Sequence, residues 1–200
     1  MNNIFDNQLS ILIDILPLYL TPKQCTKLYT SNLILYYIYI DNNKFESNYF
    51  IPKNRNELKI AVNEWYNNKE KAILKYGNIS YWNTINITDM NSLFYTNYKF
   101  NDNISDWNTS NVINMENMFY NVREFNQPIN NWNTENVVNM NQTFYNARIF
   151  NQELNNWNIN KVENMMYMFY NAIDFDKTNC NKWNLNHISD KYKYYMYNRN

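Results

Sequence analysis

One imidazole, two thiols and nine thioethers are the groups with the widest chemical range in this 200-residue chain. His187 could act as a general base, yet no Cys or Ser stands at a spacing that would pair with it, so a surface or capping histidine fits better. Cys25 and Cys180 lie far apart without a metal or redox spacing, which suits buried free thiols in a reducing compartment. Thioether sulfur is a soft metal ligand. Met90, Met115, Met140 and Met165, however, recur at helical spacing among apolar residues, where Met is adaptable core filler. The carboxylates Asp102, Asp106, Glu116, Glu124 and Glu153 never form a pair that repeats in phase, as a site would need. A single glycine, Gly77, cannot build a phosphate-cradling loop. No enzyme activity, metal or cofactor is expected.

The elements that hold these residues follow from a repeat. Trp recurs at 82, 107, 132 and 157, then at Trp183 after one inserted residue. Five more columns keep the 25-residue step: Ile79, Ile104, Ile129, Leu154; Ile87, Val112, Val137, Val162; the Met column; Phe94, Phe119, Phe144, Phe169; and Phe100, Phe125, Phe150, Phe175. Val112, Met115, Met118 and Phe119 predict a short helical turn with one apolar stripe. The stretch from Phe125 through Ile129 to Trp132, bounded by Asn and Pro, predicts a short strand. One strand and one helix per unit cannot bury both faces alone, so neighbouring units must stack, each Trp, Met and Phe on its counterparts. Asn follows every Trp (Asn83, Asn108, Asn133, Asn158, Asn184), and its side chain can bond backbone two residues on, closing a turn. The predicted fold class is α/β: a leucine-rich-repeat-like solenoid of short strands and short helices with an α-helical N-terminal cap.

"FNQPINNWNTENVVNMNQTFYNA" and "FNQELNNWNINKVENMMYMFYNA" resemble the repeat of the BspA-type leucine-rich repeat surface proteins, a 25-residue Mycoplasma-type repeat of unknown function. The resemblance covers roughly residues 76 to 188 and implies a right-handed αβ solenoid with a recognition or adhesion role. Residues 8–36 are similar to the F-box pattern. Leu9, Leu12, Leu16, Leu20, Pro22 and Leu28 fall on it and would dock an Skp1-like adaptor of a ubiquitin ligase; a helical pair that simply caps the array is the alternative.

The organisation expected is a helical segment over 1–50, an amphipathic capping helix over 51–78, repeats over 79–188 and a C-terminal cap or tail over 189–200. Asn54 and Glu57 would cap the second segment, with Leu58, Ala61, Val62, Trp65, Ala72 and Ile73 on one side. Eighteen basic and eighteen acidic side chains cancel, so no global field draws the chain to nucleic acid or an anionic membrane. The apolar runs 11–20 and 32–40 fall short of the roughly 20 residues of a membrane span, and the first has no basic flank or small-residue cleavage site. An intracellular place, in the cytoplasm of a cell or of a virus-infected host, is expected in preference to the cell surface. Binding then remains as the function: a non-enzymatic scaffold whose strand face takes a protein or glycan ligand. Its variable polar positions are Ser105, Asp106, Asn130, Asn131, Asn155 and Asn156. A ubiquitin-ligase substrate adaptor and a surface-displayed adhesin are the alternatives.

Overall fold

The chain divides at residue 48, and the computed structural model describes residues 50–197, within the second unit, Tyr49–Asn200. The F-box-like residues Leu9, Leu12, Leu16, Leu20, Pro22 and Leu28 lie outside the described residues.

Asn54 starts helix α1 (Arg55–Asn67) by accepting the Glu57 N–H at 3.0 Å, while the Glu57 carboxylate reaches back to the Lys53 N–H at 2.7 Å. Asn68 leaves helical dihedrals, ends α1 and caps α2 (Lys69–Tyr76) through its own side chain, so the single helix expected here is two. Gly77 stops α2 at φ +71°, a left-handed conformation that costs glycine little. Leu58, Ala61, Val62, Trp65, Ala72 and Ile73 are all buried.

The repeats correct the α/β prediction. Among the described residues there is no sheet, and helices occur only in α1, α2 and α3 (Asp190–Tyr197), apart from single 3₁₀ turns at Ile79–Tyr81 and Lys177–Cys180. The chain is therefore not a leucine-rich-repeat solenoid of strands and helices. Each unit is instead a succession of β-turns. In the unit that begins at Ile104, i+3 N–H to i C=O bonds close Ile104–Trp107, Thr109–Val112, Met115–Met118, Asn117–Tyr120, Phe119–Val122 and Val122–Phe125. Both end residues are buried in every one of these turns except Asn117–Tyr120. A string of turns thus buries residues at i and i+3, the spacing that a helix also produces, which is why Val112 to Phe119 imitates one.

Helix is ruled out locally by backbone dihedrals. Asn117 and Asn121 have φ of 55° and 60°, and the equivalent positions in the other units are Ser92, Thr96, Gln142, Asn146, Tyr167 and Asn171, all at positive φ. The backbone donors consequently alternate. The N–H groups of Met118, Tyr120 and Val122 close turns within the unit. Those of Met115, Asn117, Phe119 and Asn121 donate to Asn139, Asn141, Thr143 and Tyr145 of the next unit at 2.8–2.9 Å. Isolated parallel bridges join Asp89, Asn114, Asn139 and Asn164 in register. The expected strand from Phe125 to Trp132 does not pair: its Asn126 N–H goes to Asn101 Oδ1 at 2.9 Å, as the equivalent Asn151 N–H of the next unit goes to Asn126 Oδ1, and its Trp132 N–H closes a turn on the Ile129 carbonyl.

Stacking at the 25-residue offset creates the core. Phe94, Phe119, Phe144 and Phe169 lie nearly parallel with centroids 5.4–5.6 Å apart. Phe100, Phe125, Phe150 and Phe175 stack at 5.9 Å. The indole N–H groups of Trp107, Trp132, Trp157 and Trp183 donate to the carbonyls of Ile79, Ile104, Ile129 and Leu154 one unit back, at 2.8–3.1 Å. Each Trp thereby supplies buried apolar area and links two units through a carbonyl that also closes a turn. The hydroxyls of Thr84, Thr109 and Thr134 donate to the carbonyls of Asn108, Asn133 and Asn158 of the following unit.

The ends of this stack differ, since the donors between Met90 and Thr96 point forward and no earlier unit supplies donors to the carbonyls of that segment. Cations from α1 meet them: Arg55 donates to the Asn91 carbonyl, and Lys59 Nζ to those of Ser92 and Leu93, both at 2.7 Å. At the other end the Phe169 N–H reaches the Met196 carbonyl of α3 at 2.9 Å, and Tyr197 stacks on Phe169. No helix among the described residues is long and apolar enough to cross a membrane.

Candidate functional site

The polar positions anticipated as contacts fall into two sets. Asp106, Asn131 and Asn156 are exposed in one column. Ser105, Asn130 and Asn155 are half-buried, and two of their side chains tie units together: Asn130 Oδ1 accepts the Asn156 N–H, and Asn155 Oδ1 accepts the Lys182 N–H, both at 3.0 Å. Ser105 holds only its neighbour Asp106, at 3.4 Å.

Most of the other conspicuous Asn residues are structural. Asn83, Asn108, Asn133, Asn158 and Asn184 each accept the N–H two residues on at 2.9–3.1 Å, so the Asn after Trp closes a turn in all five places. A second ladder, Asp89, Asn114, Asn139 and Asn164, does likewise. The Met column is fully buried among aromatic and aliphatic columns. His187 Nε2 lies 3.0 Å from the Ile159 carbonyl. Cys180 sits against the Tyr197 hydroxyl at 2.9 Å, and burial raises both the thiol and the phenol above their ordinary values. Among the described residues no three His, Cys, Asp or Glu side chains gather as a metal site would require.

The concavity that emerges lies beside the first Asx column. A groove of about 690 Å³ crosses three units and is lined by Ile85, Asn86 and Thr88 in the first, Asn111 and Ile113 in the second, and Asn136 and Val138 in the third, with Lys53 at its end. Ile113 is 49% exposed. The amides of Asn111 and Asn136 are anchored by donating to the Ile85 and Ser110 carbonyls of the preceding unit at 2.8 and 2.9 Å. Lys161 Nζ donates to Asn136 Oδ1 at 2.8 Å. The sequence carries a signal for this floor: "VIN" and "VVN" at 112–114 and 137–139 place two β-branched residues side by side. Successive residues of extended chain face opposite ways, so Val112 and Val137 enter the core while Ile113 and Val138 face out.

Turn-built units, repeated every 25 residues and joined through shared side-chain columns, define a tandem-repeat protein. The chain belongs to the family described as "Mycoplasma protein of unknown function, DUF285", whose profile matches residues 61–183. That match carries the BspA-like resemblance and gives no support to a leucine-rich-repeat or F-box assignment. No curated protein and no solved structure matches the chain.

Proposed function

We propose that the repeat stack is a non-enzymatic recognition scaffold whose groove takes an extended segment of a protein partner. The groove carries this reading. It offers an apolar floor of Ile85, Ile113 and Val138 beside amides held in place by backbone carbonyls, a combination suited to a chain with both side chains and peptide groups to bind. A glycan would find the amides but little use for the exposed isoleucine. The exposed column Asp106, Asn131 and Asn156 is a second contact surface under the same proposal.

The test is affinity capture with the full chain and with an Ile113→Asn/Val138→Asn variant. Both positions face solvent, so the fold, followed by circular dichroism and urea unfolding, is expected to survive. A partner retained by the parent protein and lost by the folded variant supports the groove. Equal retention by both refutes it, and loss only on changing Asp106, Asn131 and Asn156 moves the contact to that column.

A further inference from the structure

The residue after each Phe of the Phe94, Phe119, Phe144 and Phe169 column is tyrosine: Tyr95, Tyr120, Tyr145 and Tyr170. Their rings stack along the repeats with centroids 4.8, 4.5 and 4.9 Å apart and interplanar angles of 17°, 6° and 10°. Tyr95 is 43% exposed and the other three are half-buried. Stacking covers the ring faces of Tyr120 and Tyr145, so no ligand ring can lie on them.

We propose that this column is a site of oxidative cross-linking, in which Tyr120 and Tyr145 couple to a dityrosine that joins two consecutive units covalently. Each phenol gives up one electron and one proton. The two radicals then combine through the ring carbons next to the hydroxyls, and transfer of a hydrogen from each of those carbons to its oxygen restores both phenols. The two electrons and two protons reduce one hydrogen peroxide to two waters through a haem peroxidase, the class of oxidant the step requires. Parallel stacking with centroids 4.5 Å apart holds the two rings face to face before any radical forms.

Two columns of oxidisable side chains are shielded. The Trp column is at most 8% exposed, and Met90, Met115, Met140 and Met165 are fully buried. Tyr66 is exposed as well, but among the described residues no parallel phenol lies against it. Tyr194 and Tyr195 touch edge to face at 5.0 Å, and Tyr167 and Tyr170 at 5.7 Å, which sets the coupling carbons less favourably. A radical formed at the more exposed Tyr95 can pass to Tyr120 through their contact.

The experiment treats the dilute full-length chain with a haem peroxidase and hydrogen peroxide, then follows dityrosine fluorescence, gel mobility and peptide masses. The expected product is a single chain in which the peptides carrying Tyr120 and Tyr145 are joined with the loss of two hydrogens. Its urea midpoint should rise, because the new bond restricts the unfolded chain. Tyr120→Phe and Tyr145→Phe keep the stacked ring and should each abolish that joined peptide. Coupling at other tyrosines, links only between chains, or undiminished fluorescence in a Phe variant that unfolds at the parent midpoint would overturn the proposal.

Discussion

Trp132 offers the sharpest way to separate the contributions that hold the stack. Its side chain is 2% exposed, lies parallel to Trp157 at 6.3 Å, packs on Phe119 at 6.2 Å and donates to the Ile104 carbonyl at 3.1 Å. Trp132→Ala removes the ring and leaves a cavity, which costs about 3–5 kcal/mol. Trp132→Phe keeps much of the apolar contact but deletes the donor, so the Ile104 carbonyl keeps only the Trp107 N–H that closes its turn, at a cost of about 0.5–1.5 kcal/mol. Domains are stable by only about 5–15 kcal/mol, so the Ala variant should be close to unfolded and the Phe variant clearly weakened. Urea unfolding followed by circular dichroism gives both differences. Amide exchange in the Phe variant should quicken in the units that start at Ile104 and Ile129 before it quickens in α1, since repeat arrays transmit stability between neighbours. A Phe variant within about 0.5 kcal/mol of the parent, the range of an ordinary surface change, would show that the indole hydrogen bond does not hold the units together.

Other expectations follow from the same geometry. Thr96 is β-branched at φ 60°, where Asn is better tolerated, so Thr96→Asn should raise stability by about 1 kcal/mol, and a fall in the urea midpoint would contradict the backbone assignment. Lys59→Met keeps the stem but strips the ammonium from the Ser92 and Leu93 carbonyls, and should cost about 1–3 kcal/mol with faster exchange confined at first to α1. Burial, the largest cause, lowers the Lys59 ammonium, with Arg55 adding to the effect, while burial raises the Cys180 thiol and Tyr197 phenol. The native state thus holds protons on Cys180 and Tyr197 that the unfolded chain releases, so their contribution is complete at neutral pH and lost as pH climbs through the ordinary thiol and phenol ranges. Lys59 acts in the opposite sense, so the comparison is with Cys180→Ala/Tyr197→Phe, whose stability should fall less steeply above neutral pH.

The columns of Trp, Met and Phe were legible in the sequence because burial repeats with the unit, whatever the backbone does between. The backbone itself was not. Turn ends at i and i+3 give the same apolar spacing as a helix, and only Asn117, Asn121, Asn146 and Asn171 hint at left-handed positions; Ser92, Thr96, Gln142 and Tyr167 adopt them without any compositional sign. Asn101, Asn126 and Asn151 could not be known to take donors from the chain following each Phe, which is why a strand was expected where none pairs. The turn role of the Asn after Trp was readable from its chemistry. Asn130 and Asn155, read as candidate contacts, also join units through their side-chain oxygens, which the sequence does not show because an amide looks the same whether it faces solvent or a neighbouring unit. The groove was missed because Ile113 and Val138 sit beside true core residues and merge into one apolar pair with them.

The account rests on donors that leave the unit at alternate residues between Met115 and Asn121. Nitrogen–carbonyl couplings across hydrogen bonds, measured by nuclear magnetic resonance on isotope-labelled protein, read those partners directly. The turn-built stack predicts couplings from the Asn117 nitrogen to the Asn141 carbonyl, from Phe119 to Thr143 and from Asn121 to Tyr145. Couplings from Asn117 to Ile113 and from Asn121 to Asn117 would instead mark a helix and contradict it.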